Sequence, residues 1–142
     1  MKNPLILILL LFVACTKPAV DSQKIEREIR SVMDRQVAGW NEHRLDLFME
    51  YYWKSSGLTF YTGEEKVLGW DTIRKRYEKR YAGEEMGILT FDEIKVNIIT
   101  EETAYVLGRW KVELPDTVRK GRFTIIFRKL DEGWRIIHDH SS

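Results

Sequence analysis

Apolar residues follow a helical spacing in the first part of the chain and a strand spacing in the second. Between Ser22 and Trp40 they recur every three or four positions, which predicts a long amphipathic helix capped by Ser22. The other elements predicted before residue 87 are helices over 45–53 and 70–81 and short strands over 58–62 and 66–68.

From residue 89 onward, apolar and polar residues alternate with a period of two. The long strands predicted there cover residues 89–100, 104–114, 119–130 and 134–140. Helices followed by a long antiparallel sheet indicate an α+β fold. A sheet of this size, curled around the first helix, makes a cone with a pocket at its open end.

One face of the predicted sheet is apolar without an obvious cover. The residues that the alternation places on this outer face include Tyr105, Leu107, Ile126 and Ile137. Because so apolar a face is unfavourable in water, we expect a homodimer that forms through the sheet.

The last predicted strand ends with two histidines. His138 and His140 share the parity of Trp134 and Ile136, so both imidazoles face the core if those two residues do. They are then structural core histidines, contacts for a pocket ligand, or a catalytic base. Asp139 alternates away from them and is expected outside. No third metal ligand shares their face, so neither a metal nor another cofactor is expected.

Aromatic residues from several predicted elements point inward. Core packing accounts for most of them, but a buried hydroxyl or indole N–H needs a hydrogen-bond partner, which favours the mouth of a cavity for some. The predicted ligand pocket comprises Trp40, Tyr52, Phe60, Trp70, Tyr77, Trp110, His138 and His140.

The first fourteen residues form a short apolar segment behind Lys2, which is typical of a secretory signal peptide and too short for a comfortable membrane span. Ala14 directly precedes Cys15, the single cysteine, and this junction resembles a bacterial lipobox. We therefore expect residues 1–14 to be a signal peptide, residues 15–22 a lipidated cysteine with a tether, and residues 23–142 the folded domain. An ordinary signal followed by an incidental cysteine is the alternative.

The charges are balanced. The chain holds 23 Lys and Arg against 22 Asp and Glu, and Lys2 is the only charged residue of the leader. This balance gives no electrostatic basis for binding nucleic acid or an anionic membrane surface. The expected membrane contact is the lipid anchor alone, with the domain facing the periplasm or the exterior of a bacterial cell.

Several short motifs together resemble one known superfamily. They include Gly39-Trp40-Asn41 and the segments 48–55, 104–110 and 133–142. With them the chain is similar to the SnoaL-like, nuclear-transport-factor-2-like proteins, most of all to small bacterial members of unassigned function. The resemblance implies a cystatin-like cone, a curved antiparallel sheet wrapped around N-terminal helices. It does not settle the chemistry, because this fold hosts isomerases, dehydratases, cyclases and pure binders.

The function expected from the sequence is small-molecule binding, or an accessory role, in an amphipathic pocket. A cofactor-free lyase or isomerase that uses a pocket histidine as its base is one alternative. A dimeric interaction module is another.

Lipidation of Cys15 gives a direct test of the expected location. Mass spectrometry of the membrane-extracted protein should show a diacyl or triacyl cysteine at the N-terminus, since the apolar segment ends at Ala14 and no second thiol exists. Recovery of the uncleaved leader, or of a free thiol at Cys15, would contradict this expectation.

Overall fold

The computed structural model describes residues 20–81 and 86–142. The predicted signal peptide, Cys15 and most of the predicted tether lie outside the described residues. Within the described ranges, no helix is long and apolar enough to cross a membrane. The buried core runs from Ile25 to Ile136, so the segment 20–142 carries its own hydrophobic core and is expected to fold independently.

In the described part of the chain, three helices and six strands form the α+β fold that the hydrophobic pattern predicts. The helices are α1 Ser22–Asn41, α2 Leu45–Glu50 and α3 Trp70–Arg80, and the strands are β1 Thr59–Thr62, β2 Glu65–Leu68, β3 Ile88–Thr100, β4 Thr103–Glu113, β5 Val118–Leu130 and β6 Gly133–Ser141. The strands make one sheet in the order β2-β1-β6-β5-β4-β3. All neighbours are antiparallel except β1 and β6, which run parallel.

The first helix begins one residue earlier than its predicted cap implies. Asp21, not Ser22, is the N-cap, and its carboxylate accepts a hydrogen bond from the backbone N–H of Lys24 at 2.9 Å. Near the other end, a Cβ at Gly39 would lie 2.7 Å from the Cβ of Leu47. The glycine therefore permits the close approach of α2 to α1.

Helix α2 ends at Glu50, earlier than the predicted residue 53, because the next residues pair with β6. The N–H of Ile136 donates to Tyr51 O at 2.8 Å, and the N–H of Trp53 donates to Ile136 O at 2.9 Å. Tyr52 thus forms an isolated parallel bridge with Ile136. This bridge fixes Tyr52 beside the final strand.

The two faces of the sheet differ in burial as the alternation predicts. Ala104 and Val106 on β4 are fully buried. On the opposite face, Tyr105, Leu107, Ile126 and Ile137 are partly or well exposed, with Leu107 at 39%. The apolar outer face is therefore present in the folded chain.

A β-bulge in β6 overturns the prediction that both histidines face the interior. On β5, Ile126 pairs with His138 and Phe127 pairs with Ile136, so Ile137 has no partner there. One extra residue in a strand reverses which side chains point to each face. Asp139 is consequently buried, at 4% exposure, while His138 and His140 lie on the outer face.

Candidate functional site

The cone holds an interior cavity of about 120 Å³ between the helices and the inner face of the sheet. Nine of the eighteen residues that line it are aromatic. A cavity of roughly 150 Å³ binds benzene in a well-studied engineered protein. The space here therefore suits a compact molecule of about one ring.

Five of the eight predicted pocket residues line this cavity, and three do not. The five are Trp40, Tyr52, Phe60, Tyr77 and Trp110. Trp70 lies away from it, with its indole N–H donating to Met49 O at 3.1 Å and with the cations of Lys54 and Arg74 over its ring. The other two are His138 and His140, which the bulge moves to the opposite face.

Edge-to-face ring contacts make one wall of the cavity rigid. The ring of Trp40 lies 5.0 Å from that of Phe48 and 4.8 Å from that of Tyr81, centroid to centroid. Its indole N–H donates to Met86 O at 2.9 Å. Tyr77 joins the cluster at 6.0 Å from Trp40, so residues of α1, α2 and α3 hold one another in fixed orientations.

Asp139 places a carboxyl group in the cavity wall. The hydroxyl of Tyr52 donates to its Oδ2 at 2.7 Å, and the hydroxyl of Ser141 donates to its Oδ1 at 2.7 Å. No Lys, Arg or His of the described residues forms an ion pair with it. The carboxyl is thus held by two hydroxyls in an otherwise largely apolar interior.

Burial changes the acidity of this group and of its neighbours. Loss of hydration raises the pKa of the Asp139 carboxyl above its ordinary value, and the hydrogen bonds from Tyr52 and Ser141 offset this only in part. Burial, followed by the nearby charge of Asp139, also raises the pKa values of Tyr52 and Tyr77 well above the ordinary range. Both phenols therefore stay protonated at neutral pH.

Two further polar atoms in the cavity wall have no hydrogen-bond partner among the described residues: Gln36 Oε1 and Trp110 Nε1. Gln36 is only 1% exposed, and its Nε2 donates to Phe48 O at 3.3 Å. Because Phe48 O can only accept, the amide nitrogen must face it, which leaves Oε1 unpartnered. Buried polar atoms without partners are rare in proteins.

Basic residues of α3 lie at the solvent end of the cavity. Arg76 and Arg80 both contribute to its lining, and Arg80 is exposed. Arg76 is ion-paired with Glu65 on β2, and the guanidinium of Arg80 lies 5.7 Å from the ring centroid of Tyr81. Among the described residues, the basic side chains of the lining thus lie at the rim, whereas the interior carries the carboxyl.

The two histidines form a separate group on the outer face with β1. His138 Nδ1 and Thr59 Oγ1 are hydrogen-bonded at 2.6 Å, and the ring of Tyr61 lies 5.5 Å from His138 and 6.0 Å from His140. Partial burial, followed by the proximity of His140, lowers the pKa of His138. Within residues 20–81 and 86–142, no three His, Cys, Asp or Glu side chains come together as a metal-binding group.

Sequence reasoning missed Gln36, Asp139 and Ser141. Gln36 had a detectable signal, since it is a polar residue on the apolar stripe of α1, between Met33 and Trp40. Asp139 and Ser141 had none, because Ile136-Ile137 fits regular alternation as well as it fits a bulge.

The SnoaL-like domain model matches residues 29–142. A solved NTF-2-like protein of unknown function from Shewanella oneidensis MR-1 is 31% identical, with a TM-score of 0.80 over 83% of this chain and 98% of its own. No curated protein matches the chain significantly.

More distant structures share the fold alone. A domain of unknown function with a cystatin-like fold from Nostoc punctiforme PCC 73102 is 22% identical, with a TM-score of 0.71 over 85% of this chain and 78% of its own. A putative scytalone dehydratase from Novosphingobium aromaticivorans DSM 12444 is 14% identical, with a TM-score of 0.70 over 87% of both chains. The cone-shaped fold, the match over residues 29–142 and the similarity to the Shewanella protein show that this chain belongs to the SnoaL-like domain family of NTF2-like proteins.

Proposed function

We propose that this protein binds a small organic molecule in its interior cavity. The observation that carries the proposal is the pair of unpartnered polar atoms in the cavity wall, Gln36 Oε1 and Trp110 Nε1. A bound molecule with one acceptor and one donor satisfies both, while its apolar part replaces water against the aromatic walls.

The size and composition of the cavity support binding of a compact ring. Small-molecule sites are concave and mostly apolar, and they carry a few polar groups that orient the ligand. Here the rings of Trp40, Phe60 and Tyr77 supply the apolar surface, and Gln36 and Asp139 supply the orienting groups.

Proton transfer by Asp139 is a second candidate function. A general acid or base works best when its pKa lies near the working pH, and burial raises the pKa of this carboxyl toward that range. Tyr52, hydrogen-bonded to Asp139, would stabilise the ionised form during turnover. The predicted alternative with a pocket histidine as base has no geometric support, because His138 and His140 lie on the other face.

We also propose the location and assembly that the sequence suggests. Lipidated Cys15 would tether the domain to a bacterial membrane, and the outer face around Tyr105, Leu107, Ile126 and Ile137 would pack against a second copy of the chain. The partial exposure of these residues supports the dimer.

Filling the cavity should abolish ligand binding. Val112 is a buried residue of the cavity wall, so Val112→Phe places a ring in the space that a ligand would occupy. Nuclear magnetic resonance titration of the 20–142 segment with cyclopentanol, phenol and cyclopentylamine should show cavity shifts for the compounds that bind, and these should vanish in the variant.

The matched control is Val118→Phe, which makes the same change at a position that is 53% exposed. This variant should bind as the unmodified protein does. Binding that survives Val112→Phe, or shifts confined to residues outside the cavity, would contradict the proposed function.

The ionisation of Asp139 should make stability depend on pH in a defined direction. Because its pKa is raised in the folded state, the folded chain binds the proton more tightly than the unfolded chain, whose Asp pKa is about 3.9. The free energy of unfolding should therefore fall as pH rises from about 4 through the folded pKa of Asp139. Asp139→Asn should lack this fall, as urea unfolding at a series of pH values would show.

Two variants check the cause of that pH dependence. Tyr52→Phe removes a donor to the buried carboxylate and should destabilise the protein by about 1.5–3 kcal/mol at neutral pH. Tyr61→Phe is the control, since its hydroxyl makes no hydrogen bond among the described residues. An identical pH profile for the unmodified protein and Asp139→Asn would show that Asp139 does not titrate as expected.

The dimer should dissociate when a charge enters the outer face. In light scattering of the 20–142 segment, Leu107→Glu should shift the mass from dimer to monomer because it introduces like charges at the contact. Val20→Glu, at an exposed apolar position that precedes α1 and lies outside the sheet, should leave the mass unchanged. A monomeric unmodified protein at micromolar concentration would refute the dimer.

A further inference from the structure

Hydrogen-bond acceptors in the cavity wall have unused capacity. An ionised carboxylate offers about four lone-pair sites, and Asp139 receives one hydroxyl on each oxygen. Gln36 Oε1 receives no donor from the described residues. Trp110 Nε1 is a single unpartnered donor, so the wall favours a ligand that mainly donates hydrogen bonds.

The negative charge that Asp139 carries when ionised has no counter-ion inside the cavity among the described residues. Arg76, one of the two cations in the lining, is already paired with Glu65. Arg80 is exposed at the rim, where solvent and salt screen its charge. A buried carboxylate without a counter-ion is unfavourable, and a cationic ligand would remove that cost.

The aromatic walls suit a cation as well as an apolar ring. The faces of tryptophan and tyrosine rings carry negative potential and attract ammonium groups, more strongly when water is excluded. Trp40, Tyr77, Tyr81 and Trp110 all line the cavity. A small ammonium ion can therefore interact with both these rings and the carboxylate.

We propose that the ligand is a small organic ammonium ion that also carries a hydrogen-bond acceptor. Its N–H groups donate to Asp139 and Gln36, the acceptor receives the indole N–H of Trp110, and its apolar part lies against the aromatic walls. The inference rests on the proposed function, namely that the cavity binds a small molecule. It adds the charge and the chemical class of that molecule.

Binding of such an ion is coupled to the ionisation of Asp139. Among the described residues, the other titratable groups that face this carboxyl or its cavity are Tyr52, Tyr77, Tyr81, Arg76 and Arg80, while His140 lies on the opposite face of the same strand. The phenols of Tyr52 and Tyr77 stay protonated near neutral pH, because burial raises their pKa values. Affinity for the ammonium ion should therefore rise with pH through the pKa of Asp139. Below that pKa, binding should release the proton of the carboxyl. Calorimetry in two buffers of different ionisation enthalpy measures this release.

Cyclopentylamine and cyclopentanol form the matched pair of probes, because they share a ring and differ in charge. Titration calorimetry of the 20–142 segment at neutral pH should show the amine binding about tenfold or more tightly than the alcohol, the ratio expected for hydrogen bonds to a charged group. Asp139→Asn should remove that preference while leaving the alcohol's affinity nearly unchanged. Asp131→Asn, in an exposed turn, is the control and should bind like the unmodified protein.

The outcomes separate this inference from the function on which it rests. If neither probe nor phenol binds in the cavity, the proposed function fails and this inference fails with it. If cyclopentanol binds as tightly as the amine, or if Asp139→Asn weakens both probes equally, the cavity is a ligand site and only the ammonium assignment is overturned.

Discussion

The structure depends on how one carboxyl group is kept inside an aromatic cone. Asp139 is 4% exposed and is held by the hydroxyls of Tyr52 and Ser141. Both hydrogen bonds depend on the path of the backbone. The bulge at Ile137 turns Asp139 and Ser141 inward, and the bridge between Tyr52 and Ile136 fixes the phenol beside the same strand. Regular alternation in β6 would leave no carboxyl in the cavity.

Two glycines on the sheet permit close approaches that a side chain would block. Gly108 faces inward on β4, where a Cβ would lie 2.5 Å from Cζ of Phe123. The missing side chain lets the Phe123 ring, which is part of the cavity wall, lie across the strand. Gly121 on β5 differs, since a Cβ there would lie 1.5 Å from the backbone oxygen of Ser142, so this glycine makes room for the backbone of the last residue. Close packing at these glycines thus shapes the sheet, as in other protein cores.

The fold was predictable from the sequence to a greater extent than the site. The change of hydrophobic period located every helix and strand to within a few residues, because burial of one face governs both patterns. It also placed Trp40, Phe60 and Trp110 on the cavity wall. A single unpaired residue, Ile137, places His138 and Asp139 on the faces opposite to those that regular alternation predicts. No residue type in the sequence marks such a bulge. The bulge coincides with a change of partner, since β6 pairs with Tyr52 before it and with β1 after it. That pairing joins segments far apart in the chain and cannot be read from local periodicity.

Both candidate functions follow from the charge state of the same group. In the uncharged form, Asp139 can donate a proton; in the ionised form, it can accept one or balance a bound cation. Its two hydroxyl partners favour ionisation and burial opposes it, so a bound molecule that interacts more strongly with one form shifts the balance toward that form. An ammonium ion would hold the carboxylate ionised and suppress its action as an acid. A neutral ligand would leave the proton available for transfer. The chemistry of this cavity is therefore set by what enters it as much as by the residues that line it.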